Sequence, residues 1–309
     1  MAVAAEARPR PRRRRNLLEQ RRFLAPLLIA PAVIFIALLV GGPLILAVYL
    51  SLTNATAGAL HGDWVGFHNF TAEWSDPNFQ TALKNTLIFT VLANAVIVVG
   101  AAFLSHFLVR DFRGKWFVRF LVLLPWAAPV ALSTIGWLWI FDSLFSVLNW
   151  LLIHAHLVDK FNPPQWLWQP RLAMAAIITV HAWRLLPFAT VIMIAGLASI
   201  PTEVDDAARI DGAVGLRKLW YVTLPLQLPI ALIAVLFGIV FTATDMAVVY
   251  ILTRGGPFNS TQTLPMWAFQ TGISSGSLGP GAAVALYLLP VLAVVTVLML
   301  WAAKRVEVS

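Results

Sequence analysis

Cysteine is absent from the 309 residues, which excludes disulfides, thiolate metal sites and cysteine nucleophiles. Charge is scarce: Asp, Glu, Lys and Arg together make 12%, too little to cover the surface of a water-soluble globular chain of this length. Several catalytic signatures are also missing. There is no G-x-x-x-x-G-K-[ST] phosphate loop, the six histidines form no H-E-x-x-H, and no G-x-S-x-G elbow occurs. The chain therefore reads as a non-enzyme that binds no metal or cofactor of its own. What it has instead is apolar mass. Hydrophobic residues make 60% before the 18 glycines are added, against about 45–50% with glycine included in soluble domains. The bilayer is its solvent.

Six apolar stretches, at about 24–51, 86–109, 120–141, 172–199, 226–252 and 281–302, each exceed the roughly 20 residues that cross the hydrocarbon as a helix. The first is no signal peptide, because it runs from Phe23 to Leu52, far beyond an apolar region of about 7–15 residues. The domain reading is a basic arm at 1–22, a six-helix membrane domain at 23–305, and a tail at 306–309. Eight arginines crowd Arg8 to Arg22 and give much of the +8 net charge. Without interleaved aromatics or a folded platform, that arm is a juxtamembrane segment drawn to anionic lipid, not a nucleic-acid surface. Arg110, Arg113, Lys115 and Arg119 follow the second stretch, Arg209, Arg217 and Lys218 the fourth, and Lys304 and Arg305 the sixth. The alternate loops hold only Lys84, Lys160, Arg171 and Arg254, so both termini are expected on the cytoplasmic side. Trp64, Trp74, Trp150, Trp166, Trp168 and Trp267 fall in or beside the outer loops, where indole suits the interface. Pro125 and Pro129 are expected to kink the third helix.

The inner loop 200–225 is unlike a plain connector. Pro201 and Thr202, followed by Glu203, Asp205 and Asp206, open a helix expected over 202–210, with acids where they complement the helix dipole. Gly212 breaks it, and a second short helix is expected over 214–222, ending before Pro225. This helix-turn-helix resembles the EAA loop of ABC importer permeases, in which an acid, two alanines, a glycine four residues on and a later Leu-Pro recur. Asp206-Ala207-Ala208, Gly212 and Leu224-Pro225 match at that spacing, with Asp206 in place of the usual glutamate. Further stretches are similar to the maltose-type, carbohydrate branch: Val65 to Phe70, Phe79 to Thr86, Leu124-Pro125-Trp126, Ile210 to Ala213, and Leu252 to Pro257, where Arg254 replaces a usual glycine. The resemblance covers about residues 23–305.

It implies an all-α, six-helix type I ABC importer permease in a bacterial or archaeal inner membrane. The implied partners are a second homologous permease, two ATPase subunits that carry ATP and Mg, an extracytoplasmic sugar-binding protein, and membrane lipid. Residues implied to couple to the ATPases are Glu203, Asp206, Ala207, Ala208, Asp211, Gly212, Leu224 and Pro225. The expected cargo is a neutral di- or oligosaccharide, with a glycerol-phosphate-type importer as the alternative. An ion-coupled carrier accounts for the helices but not for the loop at 199–225, and it would place several acids at membrane depth.

Ionisable residues at membrane depth are functional suspects. Arg184 shares a helix face with His181 and Phe188, and Asp245 is read on the fifth helix one turn after Thr242. Two readings stand: an Arg184–Asp245 ion pair that fixes packing, or a polar wall that hydrogen-bonds sugar hydroxyls. Trp137, Trp183 and Tyr250 offer flat surfaces for sugar C–H faces, and Asn85, Asn94, Ser133 and Thr134 add polar candidates along the pathway.

Overall fold

The computed structural model describes residues 21–308, so most of the basic arm expected at 1–22 lies outside the described residues. Two compact units meet in sequence at Tyr49 and Leu50. One apolar helix runs through the described part of the first: α1 (Arg21–Ile36), a π-helical turn at Ala37–Gly41, and α2 (Gly42–Ser51). The π turn has a local cause. Pro43 follows it, and a proline ring collides with the carbonyl four residues back in a regular α-helix. Widening the turn, so that Gly42 N–H reaches the Ala37 carbonyl, makes room.

In the second unit α3 (His68–Ser75) precedes α4 (Pro77–Val109), whose 33 residues span about 50 Å at 1.5 Å each. The helix starts nine residues before the expected 86. Asp76 accepts from Asn78 N–H and Pro77 takes the first turn, a capped start that extends the helix beyond its apolar part. Next come α5 (Lys115–Ala127) and α6 (Val130–Ile140), bent by 98° from each other. The third apolar stretch is thus a broken pair rather than one kinked rod. Pro129 supplies no N–H and pushes Ala128 into an extended conformation with ψ 140°, which ends α5.

The chain then forms α7 (Val147–His154), α8 (Pro170–Ala198), α9 (Thr202–Ile210) and α10 (Gly215–Lys218). A π turn at Leu219–Thr223 carries α10 straight into α11 (Leu224–Ala243), so Gly215–Ala243 is one helical run. The expected stop before Pro225 does not occur. The same device as at Pro43 absorbs the proline, with Leu224 N–H reaching the Leu219 carbonyl. The fifth span ends at Ala243, and α12 (Ala247–Leu252) is a separate short helix, so Asp245 lies in a break and not on a continuous helix. Last come α13 (Leu264–Phe269) and α14 (Leu278–Val308), the latter longer than the expected 281–302.

Among the described residues five helices are long and apolar enough to cross a bilayer, or six if the bent α5–α6 pair counts as one span. Helices dominate; the described β pairing is two isolated bridges, Thr53 with Trp64 and Thr56 with Ala59. The core lies where α4 packs along α8, with Phe89, Ala93, Ile97 and Ala101 buried against Ile177, Val180, Leu185 and Met193. The alanines recur at helical spacing and let the backbones approach. α11 packs against α4, α8 and α14. Gly238 faces Asn94 there, and a Cβ at that position would meet the Asn94 side-chain oxygen unless that side chain moved.

Candidate functional site

Two polar constructions stand out in this apolar fold. The first is the turn between α9 and α10. Asp211 ends α9, Gly212 takes φ +73°, its N–H bonds the Arg209 carbonyl at 3.1 Å, and Ala213 N–H bonds the Ala208 carbonyl at 2.8 Å. This is a full Schellman cap, which holds the turn without help from the rest of the protein. Ala208 is buried, whereas Glu203, Asp206, Ala207, Asp211 and Gly212 are exposed. Leu224 and Pro225 sit where the π turn hands over to α11. Sequence reasoning singled out the acids, the small residues and the Leu-Pro pair. It missed the apolar side chains that stand around them: Ile210, Val214, Leu216, Trp220 and Tyr221 are all exposed. The available signal was large apolar residues inside a loop otherwise rich in charge.

The second construction lies between the spans. Arg184 on α8 donates through Nη2 to Asp245 Oδ2 at 2.5 Å, with the arginine side chain 15% and the aspartate 5% exposed. Asp245 Oδ1 accepts Val248 N–H at 3.0 Å and so caps α12 across the break. One carboxylate therefore neutralises the arginine and starts the next helix. His181, one turn before Arg184 and fully buried, places Nε2 2.9 Å from Thr242 Oγ1 and Nδ1 3.4 Å from Asp245 Oδ2. Thr242 already donates its hydroxyl proton to the Gly238 carbonyl at 2.6 Å, so its oxygen accepts from His181. That assigns the Nε2–H tautomer and leaves Nδ1 facing Arg184 Nη2 at 3.5 Å. Asn94 on α4 closes the group, its Nδ2 2.9 Å from the Thr90 carbonyl and 3.5 Å from Thr242 Oγ1. Helices α4, α8, α11 and α12 meet through these side chains, and the cluster carries no net charge.

The other candidate residues divide. Trp137 and Trp183 meet edge to face at 5.6 Å, Trp183 being the neighbour of Arg184 in the chain. Thr134 is buried and bonds the Val130 carbonyl, and Ser133 bonds the carbonyls of Pro129 and Val130, so both serve the first turn of α6. Asn85 and Tyr250 belong to another neighbourhood. Asn85 donates to the Asn259 carbonyl at 2.9 Å, and Tyr250 packs on Phe269 with the Arg254 guanidinium 5.8 Å over its ring. Nearby, Glu73 on α3 accepts from Trp267 Nε1 at 2.9 Å, and burial pushes its carboxyl above the ordinary range.

An aromatic group went unpredicted. Trp126, at the end of α5, stacks on Phe188 at 4.7 Å, and Phe188 meets Phe241 at 5.5 Å and Phe237 at 5.7 Å. Phe188 is one turn from Arg184 on α8, so flat apolar rings stand beside the polar cluster and stay partly exposed. On the opposite face of α11, Val235, Ile239 and Ala243 line a cavity of about 640 Å³ between α4, α11 and α14. Its walls are almost wholly apolar, which suits hydrocarbon and not a sugar. Among the described residues no group of His, Asp and Glu is placed to hold a metal ion.

Residues 97–308 match the family described as binding-protein-dependent transport system inner membrane component. The sulfoquinovosyl glycerol transport system permease of Agrobacterium fabrum is 33% identical over 271 residues, covering 85% of each chain. The sn-glycerol-3-phosphate transport system permease of the same organism is 30% identical over 280 residues, covering 89% of this chain and 92% of the other. Among solved structures, a chain of a bacterial alginate ABC transporter, crystallised in complex with an alginate pentasaccharide-bound periplasmic protein, aligns with a TM-score of 0.79. It covers 94% of this chain and 98% of its own at 17% identity, which speaks to the fold.

Proposed function

Since the chain belongs to the binding-protein-dependent transport system inner membrane component family, whose type I ABC importer permease fold it has, we propose how it works. The α9–α10 lever seats in a separate ATPase, and the face beside Arg184 passes a neutral di- or oligosaccharide. The observation that carries this reading is the lever. It is a self-capped turn whose apolar side chains are exposed, and a cytoplasmic partner with an apolar groove would cover them. Small Ala207 and the acids Glu203, Asp206 and Asp211 rim that contact, and the π turn ties its motion to α11 without a hinge. ATP and Mg belong to the ATPase pair, since this chain has no phosphate loop. The lever side and both termini are cytoplasmic, and a binding protein delivers cargo on the other side to a pathway shared with a second permease.

The cargo reading follows from charge and shape. Arg184 is spent on Asp245, so the polar wall it forms with His181 and Thr242 offers hydrogen bonds without net charge. The rings of Trp183, Phe188 and Phe241 offer flat surfaces to sugar C–H faces. A polyol phosphate is the second reading, favoured by the identity to the sn-glycerol-3-phosphate permease. Reconstitution with the second permease, the ATPases and the binding protein decides between them. Neutral oligosaccharide is expected to stimulate ATP hydrolysis in proteoliposomes. Stimulation by glycerol phosphate alone would overturn the sugar assignment, and absence of any ATPase in the purified complex would overturn the lever.

A further inference from the structure

Between α12 and α13 the chain does something costly. Arg254, Phe258 and Asn259 all take positive φ, at +51°, +50° and +58°. Left-handed backbone is uncommon for non-glycine residues and a genuine outlier for a bulky one such as phenylalanine. Strain of this kind persists only where the surroundings hold it, and here they do. Asn259 gives its carbonyl to Asn85 Nδ2 and its own Nδ2 to Asn78 Oδ1, both at 2.9 Å, which bolts the loop to the first turns of α4. Thr261 Oγ1 ties the base together, 2.7 Å from Thr253 Oγ1 and 2.6 Å from the Gly256 carbonyl. Gln262 donates to Gln270, and Gln270 in turn donates to the Arg254 carbonyl. Thr261, Gln262 and Thr263 are buried beneath the loop.

The rigid base does not shelter the tip. Phe258 is 95% exposed, and Arg254 and Asn259 of the same loop are exposed as well. A pre-organised aromatic with an arginine and polar neighbours has the anatomy of an interface anchor: ordering costs little on binding, and the ring gains most from burial. Membrane-interface belts use tryptophan and tyrosine rather than phenylalanine, and the neighbouring side chains are polar. α11 separates this loop from the α9–α10 lever, so the two face opposite sides of the membrane.

We propose that Phe258 is the anchor on which the extracytoplasmic binding protein docks, its ring entering an apolar pocket of that partner while Arg254 and Asn259 form the polar rim. The proposal rests on the importer reading above and names the contact that reading leaves open.

The test uses the reconstituted transporter and the purified, sugar-loaded binding protein that stimulates the wild-type complex. Phe258→Ala is expected to raise the half-saturating concentration of binding protein by about 10-fold or more, the usual scale for truncating an anchor, with basal ATP hydrolysis unchanged. Phe258→Trp should restore most of the loss. Because the chain has no cysteine, Phe258→Cys gives it a single thiol, and a benzophenone attached there should photo-cross-link to the binding protein. An unchanged half-saturation in Phe258→Ala, or a benzophenone that reacts with lipid while the binding protein is present, overturns the anchor. A wild-type complex that no sugar-loaded binding protein stimulates overturns the importer reading and the anchor with it.

Discussion

The lever and the membrane-depth cluster are both polar constructions in an apolar chain, yet they are built in opposite ways. The lever is closed by backbone bonds between residues five or fewer apart, such as Ala213 to Ala208, and leaves its side chains exposed. The cluster joins residues 61 and 148 positions apart and leaves almost nothing exposed. Water explains the contrast. An exposed acid keeps its hydration, so the lever can leave its side chains outside the packing. At membrane depth a lone charge is expensive, so Arg184 and Asp245 satisfy each other. Change in the cluster should therefore strike assembly, and change in the lever should strike coupling alone.

The sharpest way to break that contrast is Arg184→Ala, which leaves Asp245 buried without its partner. Loss of one member of a buried pair costs about 3–5 kcal/mol, so purified yield and thermal stability should fall steeply and uptake should vanish. Normal uptake by an intact complex would remove Arg184 from both its roles. Arg184→Met combined with Asp245→Asn then separates the roles. Recovered assembly with recovered uptake makes the pair packing only, whereas recovered assembly without uptake places it on the pathway.

Gly212→Pro should act at the other end. Proline holds φ near −65° and cannot adopt the +73° of the Schellman cap. Membrane insertion and yield should match wild type, and sugar-stimulated ATP hydrolysis should drop at least about 10-fold, the loss that 1.4 kcal/mol of coupling represents. Unchanged stimulation would count against the lever.

Gly238→Ala should produce an intermediate, purely structural loss. The added methyl meets the Asn94 side chain, which must shift within the buried cluster, an overpacking cost of about 1–3 kcal/mol. Thermal unfolding of the detergent-solubilised protein checks it, and an unchanged midpoint would mean that the Asn94 side chain moves aside without cost. Smallest in stability is Trp220→Ala, because its ring is exposed in the isolated chain. The midpoint should not move, while co-purification with the ATPase should weaken. Unaltered co-purification would place the contact on Ile210 and Leu216 instead.

Much of this was legible because its causes are local. Apolar runs marked the spans, and Gly212 marked the turn to the residue. Helix boundaries were less legible where a cap or a widened turn overrides a proline: Asp76 begins α4 early, and the π turn at Leu219–Thr223 carries the helix through Pro225. Pro125 and Pro129 marked the third run for a kink, but the size of the break, 98° between α5 and α6, was not legible in the sequence. Asn85 and Asn94 look alike on α4, but one bolts a loop and the other joins the buried cluster. Only their distant partners distinguish them.

By itself the sequence determined that this chain lives in a bilayer, crosses it as helices, contains no G-x-x-x-x-G-K-[ST] phosphate loop, and carries a helix-turn-helix between its fourth and fifth apolar runs. Each of these depends on composition or on residues a few positions apart. Tertiary structure alone decided that Asp245 both neutralises Arg184 and caps α12, that rings from α5, α8 and α11 gather beside that pair, and that Phe258 stands on a strained, bolted loop. Those outcomes depend on which distant groups the packing brings within hydrogen-bonding range, and no local pattern encodes that.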